Sequence, residues 1–275
     1  MAREFLLKGD KVVICGRSQS RVDRAVQALQ SEFRCLPPLI ASALTQADQA
    51  MGEAVRNLLP TVNYWINNAG SVGGRKPLSE LSPEEISSVV GTNLIGSLLC
   101  CRQAIQLMKV FQDQKGVCGA IFNMDGAGTQ VSQLYAAYGA TKRSMPQLSA
   151  SLAAELKEQK ITNVMVHTLS PGMVLTDLLL ADSTPQLRKF FNAIPEEPQT
   201  VARDLVPRIR LVQDNKQQYI KFLTVPEALL KVVTGAPQIL FGGRFFDNEG
   251  NRVKEKGVSY KANGARLLYE GEELP

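Results

Sequence analysis

Histidine is nearly absent from this chain. His167 is the only one in 275 residues, and it sits inside the apolar run Val164–Leu169. That excludes a multi-histidine metal site, and it leaves no histidine suited to Ser-His-Asp or Cys-His chemistry. Cysteine is sparse too: the five at positions 15, 35, 100, 101 and 118 are scattered, odd in number and without a C-x-x-C. Neither a disulfide framework nor a zinc centre is expected, no metal ligand set is found, and a reducing compartment fits. No apolar run approaches the roughly 20 residues that a membrane span needs. No block of Lys and Arg or basic–aromatic interleaving accompanies the net charge of +5, so nucleic acid is not an expected partner. What is present is the composition of a globular protein, 44% hydrophobic and 21% charged.

The apolar pattern alternates between strand and helix periods. Lys11–Cys15, Asn63–Asn67, Gly119–Met124 and Val164–Leu169 read as buried strands. Between them, helices are predicted from Ser18 to about Phe33, from Ser82 to about Lys109, and from Ala136 to about Lys157. Ser18 or Ser20 caps the first of these, and Ser82 caps the second with Pro83 at its first position. Such alternation implies a parallel sheet covered on both faces. Arg34–Leu44 should supply one more strand, although Pro37-Pro38 is hostile to a central one. After about Thr224 the rhythm fades. A catalytic domain is expected over residues 1–225 and a partly disordered extension over 226–275. Within that extension, Leu229–Phe241 packs as a terminal helix or lies on a membrane surface.

Tyr138 and Lys142 form a Y-x-x-x-K, which places a phenol and an ammonium on one helix face. A nearby cation favours the ionised phenol, so Tyr138 is expected to titrate below its ordinary value and to exchange protons near neutrality. Around this pair lie Asn67-Asn68-Ala69-Gly70 at the end of one strand, Asn93 in the next helix, and Asn123-Met124-Asp125-Gly126 at the end of another strand. Ser170-Pro171-Gly172-Met173-Val174-Leu175-Thr176 follows the next. Arg17 and Ser18 follow the first strand in Cys15-Gly16-Arg17-Ser18, which holds no acid. A cation there suits the 2′-phosphate of NADP, whereas an acid would suit the 2′-hydroxyl of NAD.

In this order, N-N-A-G, Asn, Y-x-x-x-K and P-G-x-V-x-T resemble the short-chain dehydrogenase/reductase family over roughly residues 1–223. The resemblance implies a three-layer, Rossmann-type α/β fold with a doubly wound parallel sheet. It implies that Tyr138 protonates a carbonyl oxygen while a nicotinamide delivers hydride to its carbon. Lys142 would bond the nicotinamide ribose, and Asn93 would hold a water in the proton relay. Asn68, Ala69 and Gly70 would pass the adenosine side of the cofactor, and Pro171, Gly172 and Thr176 would wrap the carboxamide. Longer strings are similar to the chlorophyll(ide) b reductases of plants and green algae, the soluble, non-yellow-colouring-like branch in particular. These are Ile121–Gly128, Tyr138–Arg143, His167–Leu180 and Tyr219–Thr224. That likeness implies NADPH-dependent reduction of the 7-formyl group of chlorophyll(ide) b to 7-hydroxymethyl. It also implies a place at the stromal face of chloroplast thylakoids, a membrane-spanning reductase paralogue as partner, and action on light-harvesting complexes within a homo- or hetero-oligomer. A reductase of another bulky carbonyl, and a non-catalytic scaffold subunit, remain open.

Three departures from the family pattern stand out. Asp125 occupies the place, 13 residues before the tyrosine, where the family carries a serine. An ionised carboxylate there would hold Tyr138 protonated, which suits a one-way reductase; alternatively Asp125 caps its loop and Ser132 or Thr129 assists. Ala43 stands where the adenine-contacting Asp is usual. The phosphate-binding T-G-x-x-x-G-x-G has no counterpart in the sequence. The expectation is a truncated first β-α unit, with Met1–Lys8 as its stump and its lost strand between Lys11–Cys15 and Asn63–Asn67.

Overall fold

The computed structural model describes residues 1–33, 40–41, 49–111, 118–126, 133–212 and 216–267. Ala43, Thr129 and Ser132 lie outside them, as does most of Arg34–Leu44. Contacts divide the chain into two units. The first is Met1–Ser170 with Val206–Ile220, and the second is Pro171–Leu205 with Lys221–Pro275. The sequence had suggested a division near residue 225.

The first unit opens with helix α1 (Ala2–Leu7), strand β1 (Val13–Ile14) and helix α2 (Gln19–Glu32). Ser18 caps α2, its hydroxyl accepting the Arg21 N–H. Strand β2 (Ile40–Ala41) pairs in parallel with β1, and Pro37-Pro38 lies outside the described residues. Helix α3 (Gln49–Leu58) leads to strand β3 (Tyr64–Asn67). The predicted long helix is three pieces: α4 (Pro83–Val90), a π-helical turn over Gly91–Ile95, and α5 (Gly96–Met108). Ser82 caps α4 through a reciprocal pair with Glu85, as Ser-Pro-Glu-Glu predicts. Strand β4 (Gly119–Met124), helix α6 (Ala136–Glu158), strand β5 (Val164–Ser170) and strand β6 (Tyr219–Lys221) complete the framework.

Strands β3, β4, β5 and β6 form one sheet in that order, and β1 and β2 form another. All resolved pairings from β1 to β5 are parallel. The core lies under β4 and β5, every residue of β4 being buried. Ile121, Val164 and Val166 meet Cys101, Ala104, Met108 and Leu156 from α5 and α6. Phe122 and His167 stack at 5.2 Å, and His167 Nδ1 accepts the Gln218 N–H at 3.1 Å. His167 is thus packed core, and burial pushes its pKa down to about 4.

The second unit contains helices α7 (Asp177–Leu180), α8 (Pro185–Phe190), α10 (Val225–Thr234) and α11 (Ala236–Phe241); helix α9 (Pro198–Arg210) runs from it into the first. Its core joins Leu175, Leu180 and Phe191 to Phe245, Phe246 and Ala265. The residues after 241 are therefore folded as far as 267, with Asn192 bonding the backbone of both Phe245 and Phe246. Leu229, Leu230, Val233, Leu240 and Phe241 on α10 and α11 are exposed. Among the described residues no helix is long and apolar enough to cross a membrane.

Candidate active site

The carboxyl ends of β3 and β4 and the first turns of α6 bring the Y-x-x-x-K pair together with its neighbours. Asn67 and Asn123, opposite each other in the register of β3 and β4, are linked side chain to side chain at 2.8 Å. Asn123 reaches on to Ser149 of α6 at 3.0 Å, and Asn67 receives the Trp65 indole N–H at 2.8 Å. This buried polar chain fixes where β3 and β4 end relative to α6. Each amide is costly to bury unless bonded, which makes the arrangement specific.

Asn93 sits in the π-helical turn and is 1% exposed. Such turns are frequent at functional positions because they redirect one side chain. Its amide donates to the Ser71 carbonyl at 2.8 Å and to the Thr141 hydroxyl at 2.9 Å, and its oxygen accepts the Ser71 N–H at 2.8 Å. Asn93 thereby ties the loop after Asn-Asn-Ala-Gly to the helix that carries Tyr138 and Lys142. Gly70 lies in that loop. A Cβ there would stand 3.5 Å from Lys142 Nζ and 3.6 Å from Asn93 Oδ1, so the bare backbone is what borders the cation. Asn68 and Ala69 are exposed beside it.

Lys142 is buried, and its ammonium donates to the Met124 carbonyl at 3.0 Å. It lies 6.0 Å from the Tyr138 ring centroid. The expected lowering of the tyrosine is not found. Burial first, then the Asp125 carboxylate and then Tyr135, push Tyr138 up to about 12. Burial likewise lowers Lys142, partly offset by Asp125. The spacing correctly put both groups on one face, but spacing carries no information about dielectric.

Asp125 follows β4 and is 2% exposed. Its Oδ1 accepts the Gly126 N–H at 2.5 Å, and its Oδ2 accepts the Tyr219 hydroxyl. Gly126 presses on the site from the same side, since a Cβ there would lie 2.6 Å from the Tyr138 hydroxyl. Tyr219 and Thr141 had no assigned role in the sequence. Thr141 lies inside the Y-x-x-x-K string and could have been asked for. Tyr219 is 94 residues from Asp125, and no periodicity connects them.

Arg17 is exposed and Ser18 caps α2, both just after β1. Pro171, Gly172 and Thr176 belong to the second unit. Gly172 takes a φ of +69°, which glycine tolerates best, and Thr176 is the N-cap residue of α7. Among the described residues no group of three or more His, Cys, Asp or Glu is placed to hold a metal.

The parallel sheet, its helices and this tyrosine–lysine constellation define a class: the chain belongs to the short-chain dehydrogenase family, whose model matches residues 1–186. A solved 3-ketoacyl-(acyl-carrier-protein) reductase from Brucella melitensis, complexed with NADH, has the same fold. Its TM-score is 0.66 at 24% identity, over 80% of this chain and 89% of that one. Among curated proteins, the chain is 45% identical to Chlorophyll(ide) b reductase NOL, chloroplastic, of Arabidopsis thaliana. The match covers 84% of this chain and 68% of that protein. It is 43% identical to Probable chlorophyll(ide) b reductase NYC1, chloroplastic, of Oryza sativa subsp. japonica, over 92% of this chain and 52% of that one. The chain thus spans about half the length of the rice relative and about two thirds of the Arabidopsis one.

Proposed function

We propose that this chain reduces the 7-formyl group of chlorophyll(ide) b to 7-hydroxymethyl with NADPH. The observation that carries the reading is the identity of 43–45% to proteins named for this substrate, over most of the chain. The chloroplast is the corresponding place, and the stromal face of the thylakoid, a membrane-spanning paralogue and oligomeric assembly belong to the same proposal.

The residues fit a nicotinamide dinucleotide in part. Gly70 carries no side chain beside the buried Lys142 cation, so bare backbone there can border a ribose, and the exposed Arg17 suits a 2′-phosphate. Asn68, Ala69, Pro171, Gly172 and Thr176 are the further residues proposed to line it. Ser18 joins them at the N-terminal end of α2, where backbone N–H groups are unpaired by the helix. When bound, the reduced nicotinamide supplies the hydride. The protein's own task is then to orient the carbonyl and give it a proton. Tyr138 keeps that proton, because burial and Asp125 both disfavour the phenolate. Lys142, anchored on the Met124 carbonyl, keeps its ammonium on the same helix face as Tyr138. Asn93 holds loop and helix in register rather than acting on the substrate directly.

Incubation with chlorophyllide b and NADPH, followed by pigment chromatography, tests this. The 7-hydroxymethyl product is expected from the wild type. Tyr138→Phe should lower turnover by about 10²–10⁴-fold. Asp125→Asn should lose reduction while still binding NADPH by calorimetry. Product formation only from other bulky carbonyls would replace the substrate, and absence of NADPH binding would favour a scaffold subunit.

A further inference from the structure

The carboxylate of Asp125 is held from two sides. The backbone N–H of Gly126 meets Oδ1, and the hydroxyl of Tyr219 meets Oδ2. Tyr219 opens β6, the strand beside β5, and its hydroxyl is also bonded by Ser170 at the end of β5. From the other side, Gly126 brings the backbone up against the Tyr138 hydroxyl. Asp125 therefore stands between a tyrosine on β6 and a tyrosine on α6. The bond at its Oδ2 comes from a residue 94 positions away in sequence.

We propose that Tyr219 is a positioning residue, whose hydroxyl clamps the Asp125 carboxylate at a fixed place beside Tyr138 so that the phenol keeps its proton until the substrate takes it. The inference rests on the reading of Tyr138 as proton donor. Two observations separate the clamp from ordinary packing. The residue is 41% exposed and β6 is only 3 residues long, so the ring adds little to the core. The polar end is what is engaged, with a carboxylate that is itself 2% exposed. A carboxylate that can swing loses most of its directional effect on a neighbour, since a charge interaction falls with distance and with access to water. The groups facing this carboxylate are Tyr138 and Lys142 from α6 and Tyr219 from β6, while Tyr135 faces Tyr138. Arg143 faces Tyr219 in turn.

The test is an ultraviolet titration of tyrosinate in the protein without substrate. Wild type, Tyr219→Phe, Asp125→Asn and the double variant are each compared with the same background carrying Tyr138→Phe, which isolates the Tyr138 signal. Circular dichroism at each pH follows the fold. Tyr219→Phe should move the Tyr138 midpoint down by on the order of one pH unit. Asp125→Asn should do the same, and the double variant should go no further, because both changes act through one carboxylate. An unchanged midpoint in Tyr219→Phe overturns the proposal. So do shifts that add in the double variant, which would mean that Tyr219 acts independently of Asp125. Should the wild type turn over no chlorophyll(ide) b, the functional reading falls while the titration still decides the clamp.

Discussion

Lys142 bonds the backbone carbonyl of Met124, and the hydroxyl of Tyr138 lies instead against Gly126. The lysine therefore steadies the end of β4, and the tyrosine's proton is governed by burial and by Asp125.

This sets a pH dependence. Tyr138 is raised from 10 to about 12, so its phenol stays protonated through neutral and mildly alkaline solution. The proposed carbonyl reduction would use that protonated form. Its rate should show no alkaline fall attributable to Tyr138 until the pH approaches 12. The reverse oxidation uses the phenolate and should rise with pH over the same range. Initial rates in both directions check this, and an alkaline fall centred near pH 8 would contradict it.

Gly126 gives a steric prediction. A methyl in Gly126→Ala would meet the Tyr138 oxygen at 2.6 Å, closer than real Cβ contacts allow. Either the phenol or the loop must move. Turnover should fall at least about tenfold, since small misplacements of a reacting group are costly. The melting temperature should change far less, because the clash is with the far end of one side chain. Full turnover in this variant would mean that the phenol tolerates displacement.

His167 gives a stability prediction. Its folded value is depressed from 6.5 to about 4, so between those values the unfolded chain binds the proton and the folded one does not. Stability contributed by the neutral ring is therefore present above about pH 6.5 and is lost as the pH falls through 4. The buried Met1 ammonium is depressed as well, so the share of the histidine is read as a difference. Denaturant midpoints between pH 6.5 and 5 should fall further in the wild type than in His167→Gln.

Much of the framework was legible because it is repetitive. The cores of β3, β4 and β5 and the cap at Ser82 follow from apolar runs and a local rule, and they form where the sequence puts them. Residues that act over short spacings, such as Tyr138 and Lys142, were legible as well. Three things were not. The π-helical turn at Asn93 leaves the helical period of the side chains intact enough to read as one helix. The upward shift of Tyr138 depends on burial by distant segments. The bond from Tyr219 to Asp125 joins strands whose adjacency is a property of the sheet order and of no local pattern.

Pro146 lies inside α6, one turn beyond Lys142. Having no N–H, it cannot donate to the Lys142 carbonyl, so the ladder of the helix is missing a rung just behind Tyr138 and Lys142. Thr141, Lys142 and Met145 are buried, so packing more than the backbone ladder holds the stretch from Ala136 to Met145. In an amide-exchange experiment that stretch should slow when a ligand closes over Tyr138 and Lys142.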